Sequence, residues 1–389
     1  MIESSKACAN APSAKPDRIE TLDVLRGLAI LGIFFLNIPL MSPAGWSDED
    51  GREMVSWMDR FVSAVDGLLL EGTQRGMLEM LFGAGMILLT AKAMRADGPV
   101  GVADGYFRRN LWLLAFGLLH VFLVQWPYDI LHVYAVAALF LFPFRLLSPA
   151  AALCLGLSFA LFSLVGGAVG GGYGPESMLA DGAMTEAAGP TGAISLWLAD
   201  AKGLGLWTSI GEALCTMLIG VALFKWGVIQ GRKSVNFYFS LAAAAYGAGL
   251  ALRASEMSGA AFAGVLDVSE LSRLAVTVGH IALVNLAWRS GIGRWVLGPF
   301  KAAGRTAFSL YVMQSLIGIW VLFAPWSPLH DEALGSAHLA ALAILVMAVQ
   351  LVIANLWLRR FQSGPLEWLW RWLTNRWPGG EGKLAAHPA

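Results

Sequence analysis

Runs of apolar residues recur along the whole chain, each bounded by charged or Gly/Pro-containing stretches. They fall at residues 22–41, 73–94, 109–126, 129–147, 149–170, 206–226, 236–255, 271–289, 302–324 and 338–358. An α-helix needs about 20 apolar residues to cross the hydrocarbon of a bilayer, so the pattern predicts an all-α, polytopic membrane protein with about ten transmembrane helices. Residues 1–21 then form a leader, 22–358 the transmembrane domain, and 359–389 an interfacial helix and tail. Two connecting segments are long, 42–72 and the Gly-rich 171–205, and each reads equally as an entrance lid or a plain connector. In the first, Met54, Trp57, Met58, Phe61 and Val62 recur at helical spacing and predict a helix lying on the outer surface. In GPLEWLWRWLTNRW (364–377), Leu366, Leu369, Trp370, Leu373 and Trp377 share one side while Glu367 and Arg371 form an i, i+4 pair on another. That segment is expected to lie flat at the membrane interface as an anchor.

The charges alternate between successive connections. Lys92, Arg95, Arg108 and Arg109, then Arg145, Lys225, Arg232 and Lys233, then Arg289, Arg294, Lys301 and Arg305, and finally Arg359 and Arg360 occupy one set, together with the basic leader (Lys6, Lys15, Arg18). The other set holds Asp48, Glu49, Asp50, Glu53 and Asp59; Glu176, Asp181 and Glu186; Glu256 and Asp267; and Asp331 and Glu332. By the positive-inside rule the first set and both termini are cytoplasmic, as expected of a multi-pass membrane protein.

Composition sharpens this picture. Of 389 residues 57% are hydrophobic and only 14% charged, against about a quarter charged in soluble domains. With 27 basic and 27 acidic residues the formal charge is zero, which argues against nucleic acid as a partner. Cys8, Cys154 and Cys215 have no metal-type or CxxC spacing and read as small core residues rather than a disulfide framework. The first run carries Asp23 and Arg26 and exceeds a signal-peptide core, so it reads as a retained span.

Ionisable groups inside a span are costly and normally face a cavity or a neighbouring helix. Arg109 and His120 are eleven residues apart, almost three turns and about 16 Å along one helix face. The same interval separates Arg26 from Asn37. Two helices built this way would line one passage, with cations at its inner mouth and hydrogen-bonding groups further out. Asp129 and His132 open the next span on one face, and the short turn between the two spans brings His120 within reach of them. Glu79, Glu212, His280 and Gln314 lie at middle to upper depth. A histidine oriented by a carboxylate can serve as a general base or as a proton relay, while a histidine alone in a span is as readily structural glue. His132 and His280 read more simply in the structural sense. No HExxH-like spacing supports a metal site. Arg26, Arg108 and Arg109 could clamp phosphates, although positive-inside topology alone also places arginines there. Gly83 and Gly85 of LFGAGM read as helix-packing glycines, because no strand precedes them.

Several stretches together resemble the YeiB-type family of bacterial membrane proteins, catalogued as domain of unknown function 418. They are RIETLDVLRGLAILGIFFLNI (18–38), EGTQRGMLEMLFGAGM (71–86), RRNLWLLAFGLLH (108–120) with DILHVYA (129–135), GRTAFSLYVMQSLIG (304–318) and GPLEWLWR (364–371). The family-like positions are Asp23, Arg26, Asn37, Gly83, Gly85, Arg109, His120, Asp129, Tyr134, Arg305, Tyr311, Gln314 and Glu367. More remotely, LDVLRGLAIL resembles the transmembrane acyltransferases, including lysosomal heparan glucosaminide acetyltransferases and bacterial sugar O-acyltransferases. That resemblance implies a cytosolic acyl-CoA co-substrate, no metal, and transfer to an acceptor on the far side. Arg26, Arg108 and Arg109 would receive the donor, His120 and Asp129 would carry the chemistry, and Asn37, Glu79, Tyr134, His280 and Gln314 would contact substrate. In the sugar O-acyltransferases a histidine follows the LRG motif where Asn37 stands here, so the base does not transfer by position. Glu79 and His132 also depart from the expected pattern. The function expected is acyl transfer to an acceptor hydroxyl or amine on a small molecule, glycan or lipid. The competing expectation is a proton-coupled transporter or exporter of an anionic or amphipathic solute. The expected partners are the lipid bilayer, which the family resemblance implies is the bacterial cytoplasmic (inner) membrane, the acceptor, and a second copy of the chain in a homo-oligomer.

Overall fold

The computed structural model describes residues 19–42, 56–91, 101–166, 190–258, 266–330, 332 and 334–376. Several residues of the charge pattern lie outside them: Lys6, Lys15, Arg18, Asp48, Glu49, Asp50, Glu53, Lys92, Arg95, Glu176, Asp181, Glu186 and Asp331, together with Cys8, Met54 and Trp377. Among the described residues every regular element is helical and no strand occurs. In chain order they are α1 (Glu20–Met41), α2 (Trp57–Val65), α3 (Thr73–Thr90), α4 (Gly101–Leu119), α5 (Ile130–Leu141), α6 (Pro149–Gly156), α7 (Ser158–Gly166) and α8 (Pro190–Lys202). Then follow α9 (Gly205–Lys225), α10 (Val235–Met257), α11 (Ser269–Trp288), α12 (Gly291–Leu297), α13 (Phe300–Arg305), α14 (Ala307–Ile317), α15 (Ser336–Arg360) and α16 (Pro365–Arg376).

Among the described residues six helical stretches are long and apolar enough to cross a membrane: Glu20–Met41, Val102–Val124, Gly205–Lys225, Val235–Met257, Ser269–Trp288 and Ser336–Arg360. Ile130–Leu146, Pro149–Val165 and Ala307–Leu322 are apolar but shorter. The chain is therefore a helical membrane protein. Along α15, Ile344, Leu345, Val352 and Leu356 all point outward, a stripe for which lipid rather than water is the compatible solvent.

Local chemistry sets the ends of these helices. Ser56 and Asp59 make a reciprocal capping box at the start of α2, and Ser148, Ser234 and Ser290 cap α6, α10 and α12. At α2 the expected surface helix is present, with Trp57, Met58 and Phe61 exposed. One expected single span is broken: the run 302–324 divides at Thr306, where φ −117° and ψ 23° interrupt the helix before α14. In the run 149–170, of which 167–170 lie outside the described residues, Leu157 stands between α6 and α7 but keeps right-handed helical dihedrals and its bond to the Leu153 carbonyl. The segment 171–205, expected as a loop, contains α8, since Ile194, Trp197 and Leu198 repeat at helical spacing in ISLWLADAK.

At the centre, α1 packs against α3, α13 and α15 around a continuous apolar core. Where α1 crosses α13 the two backbones nearly touch. A Cβ on Gly27 would strike the Phe300 carbonyl, and one on Gly304 would strike that of Asp23. The glycine of the LRG motif is thus a requirement of packing.

Candidate functional site

The junction of α4 and α5 carries the first half of the site. Residues His120–Val124 form a π-helical turn, Gln125 adopts left-handed φ of 67°, and Asp129 becomes the N-cap of α5. Single π turns of this kind are frequent where a side chain must be re-aimed. Gly117 lets the two helices close up, because a Cβ there would meet the Asp129 carboxylate and the His132 backbone.

Asp129 is 2% exposed and its two oxygens are fully engaged. Oδ1 accepts from Nδ1 of His120 at 2.7 Å and from the Tyr311 hydroxyl at 3.2 Å. Oδ2 accepts from Nδ1 of His132 at 2.9 Å and from the His132 backbone N–H at 3.0 Å. The Tyr311 hydroxyl in turn accepts the Ile130 N–H at 3.2 Å, so its proton is directed to Asp129. Trp197 of α8 donates Nε1–H to Nε2 of His132 at 3.1 Å. Nε2 of His120 is buried and makes no hydrogen bond among the described residues. A neutral ring that donates through Nδ1 leaves a lone pair on Nε2, so His120 carries a basic nitrogen beside a carboxylate.

The second half is a cavity of about 430 Å³ between α1, α3, α4, α5, α13, α14 and α16. That volume lies within the range usual for small-molecule sites. Its walls are apolar, with Leu78, Phe82, Met86 and Leu113 among them; His120 and Asp129 do not line it, and Tyr311, which does, bonds Asp129 and the Ile130 N–H. Arg26, Arg109, Arg305 and Arg371 all line it, against one lining carboxylate, Glu367. Glu367 is committed to structure: it accepts from the N–H groups of Phe308 at 2.7 Å and Ser309 at 3.1 Å, and from the Ser309 hydroxyl at 2.5 Å. Arg109 lies over the Trp370 ring, 3.8 Å from its centroid, and Trp370 donates to the Arg109 carbonyl at 2.8 Å. The amphipathic helix α16, expected only as an anchor, therefore forms a wall of the cavity.

Not every residue singled out in the sequence reaches this site. Asp23 stands 3.6 Å from Arg26. Arg108 pairs with Asp104 at 2.7 Å and does not line the cavity. Glu79 belongs to a separate buried network with Arg75, Glu212, Glu270 and Arg273, in which Arg273 lies 3.3 Å from Glu79 and 2.8 Å from both Glu212 and Glu270. His280 donates to the Val276 carbonyl one turn earlier at 2.8 Å and packs edge-on against Tyr246. Gln314 ties α14 to α1 and α15 through the Ile30 carbonyl at 3.0 Å and Gln350 at 3.1 Å. Asn37 is half-buried and outside the cavity lining. Tyr134 does line the cavity, and its hydroxyl donates to the Arg75 carbonyl at 3.2 Å. No group of three His, Cys, Asp or Glu side chains with metal-binding geometry occurs among the described residues. Trp197, Trp370 and Arg371 were not singled out as site residues from sequence. Only the aromatic run of α16 gave a local signal, and that signal described a membrane anchor.

Residues 223–376, which contain α10 to α16 and the Arg305, Tyr311 and Glu367 positions, match the family model "Protein of unknown function (DUF418)". The chain is also 30% identical over 400 residues to "Uncharacterized protein YxaH" of Bacillus subtilis (strain 168), covering 93% of this chain and 96% of that one. The chain belongs to the DUF418 family. "Uncharacterized protein YeiB" of Escherichia coli (strain K12) is 26% identical over 93% of this chain and 98% of its own. An "Uncharacterized 39.9 kDa protein in amylase 3'region" of Bacillus acidopullulyticus is likewise 26% identical, over 93% and 95%. Each of these matches covers nearly the whole of both chains.

Proposed function

We propose that this DUF418 protein is a membrane-embedded acyltransferase that takes an acyl group from acyl-CoA and passes it to a hydroxyl or amine. The observation carrying this reading is the cavity itself: apolar walls, four arginines, and an aspartate-held histidine cluster behind Tyr311. An acyl thioester on a phosphate-bearing carrier matches that order of surfaces. Guanidinium groups bind phosphate oxygens in pairs, and apolar walls suit the acyl chain. His120 Nε2 would take the proton of the acceptor as its oxygen or nitrogen attacks the thioester carbon. The C–S bond then breaks and the departing thiolate takes the proton back. Asp129 stabilises the transient imidazolium, so no covalent enzyme intermediate is required. On this reading the chain crosses the bacterial inner membrane about ten times, with the arginine-lined end and both termini in the cytoplasm.

Calorimetry of acetyl-CoA and longer acyl-CoA thioesters with purified protein tests the donor site. Saturable binding that weakens at least tenfold in Arg26→Ala and Arg109→Ala is expected. His120→Ala should keep that affinity and abolish transfer. Failure of well-folded wild type to bind any thioester would end this reading. The buried Arg75/Glu79/Glu212/Glu270/Arg273 network favours the competing one, proton-coupled transport, because intramembrane carboxylates mark proton paths in pumps. A proton-driven flux in liposomes that needs Glu79 and is indifferent to His120 would establish it.

A further inference from the structure

Two histidines share one carboxylate, and the acyltransferase reading uses only one of them. They differ in what meets Nε2. His120 Nε2 is buried with no partner among the described residues, whereas His132 Nε2 receives the Trp197 indole N–H at 3.1 Å. Indole nitrogen is a donor only, so His132 Nε2 must be the acceptor and the proton of its neutral ring must sit on Nδ1. That proton points at Asp129 Oδ2, 2.9 Å away. A second proton on His132 would set an N–H against the indole N–H, two donors in one buried contact. The Phe122 ring packs edge-on to the indole at 5.3 Å, and the indole ring lies 6.0 Å from that of His132.

We propose that Trp197 and His132 are positioning residues that lock the tautomer of the cluster and leave His120 Nε2 as its single basic nitrogen. Asp129 has two oxygens and four donors, and the lock determines which donor competes for its charge. With His132 held as a neutral donor, Asp129 orients it at Oδ2 and keeps Oδ1 for His120 and the Tyr311 hydroxyl. If His132 could flip or switch tautomer, its Nε2–H form would present a lone pair to the carboxylate, and Asp129 would rotate away from His120. α8 thus supplies, from a segment distant in sequence, the contact that separates a proton-accepting histidine from a structural one. This inference rests on the acyltransferase reading for its purpose, but its geometry stands without any substrate.

The test is the nitrogen spectrum of the full-length protein in lipid, labelled with 15N only at histidine, with His120→Asn and His132→Asn used to assign two of the six rings. Wild type should show His132 with a protonated Nδ1 and a hydrogen-bonded, unprotonated Nε2, and His120 with an unprotonated Nε2. Trp197→Phe keeps the ring packing and removes only the donor. It should shift the His132 Nε2 signal, mix its tautomers and disturb the His120 Nδ1 signal. If acyl transfer is established, the same variant should lower kcat by roughly ten- to hundredfold with thioester affinity unchanged, the scale usual for lost supporting hydrogen bonds. His132 protonated at Nε2 in wild type, or unaltered His120 and His132 signals in a folded Trp197→Phe, would overturn the proposal. A missing transferase activity with the expected spectra would count against the acyltransferase reading alone.

Discussion

Gly83 and Gly85 stand two residues apart on α3 and answer to different constraints. A Cβ on Gly83 would strike the Met217 carbonyl of α9, whereas one on Gly85 would meet nothing within 4 Å, and Gly85 lines the cavity. Gly83→Ala should therefore cost about 1–3 kcal/mol by forcing α3 and α9 apart. Gly85→Ala should gain up to about 1 kcal/mol from helix propensity, so its absent side chain has no packing reason and leaves cavity space instead. Thermal unfolding in one detergent compares the two directly. Gly85→Leu should fold normally and weaken binding of long-chain acyl-CoA more than that of acetyl-CoA, which calorimetry with both thioesters would read. In the separate ion network, Arg273→Ala should cost about 3–5 kcal/mol, because it strands Glu270, whose ion pair is with Arg273, while Glu79 keeps only Arg75. Loss of folded protein on size-exclusion chromatography, with restoration when Glu270 is also changed to Gln, would check the charge argument. At this scale His120 and Asp129 could be paired from sequence, since a tight turn joins their helices. Glu79 and Gln314 could not be told from substrate ligands, because depth in a span does not say which neighbour a polar group faces.

Helix ends are the weak points of individual elements, and among the described residues several first turns are held from other elements, two of them by carboxylates. Glu367 of α16 accepts two backbone N–H groups of the first turn of α14, doing from a distance what an N-cap side chain does locally. Glu367→Ala should cost about 1–2 kcal/mol and loosen α16 from the cavity. Hydrogen exchange at Phe308 and Ser309, together with reduced thioester affinity, would report it. At the opposite end, Asp59 of α2 accepts the Ala337 N–H at 2.8 Å, in the first turn of α15. That bond, with those from Ser56, holds the Asp59 carboxyl below its usual range. A depressed folded-state pKa means that the stabilisation is complete above the ordinary carboxylate pKa and is lost as pH falls through the folded one. Protection of the Ala337 N–H, relative to its intrinsic exchange rate, should thus fall at acid pH, below about pH 4, and Asp59→Asn should remove that change in protection. Such contacts escaped the sequence because they join residues far apart along the chain, and periodicity reports only what lies within one helix. The amphipathic face of α16 was legible; that it covers a cavity was not.

For the whole molecule, the alternation of charge along the chain makes a prediction that hydropathy does not. In a variant without its three cysteines, Cys introduced at Arg294 should react with an impermeant maleimide only from the cytoplasmic face. Cys introduced at Trp57 should react only from outside, and the reverse pattern would refute the proposed orientation. By itself the sequence determined that this is a helical membrane protein, because the cost of unpaired backbone in hydrocarbon leaves a long apolar run little choice but a helix. It also carried the motifs of the DUF418 family and the pairing of His120 with Asp129. Tertiary structure decided which polar groups share a space. It broke the run 302–324 at Thr306, sent Glu79 to an ion network and Gln314 to a helix junction, and brought Arg305 and Arg371 beside Arg26 and Arg109. It also swung Trp197 onto His132. The physical reason is one of range. Helix formation and burial in lipid act on neighbouring residues and are written in local composition, whereas a cavity is the volume left where seven separate helices fail to fill the space between them.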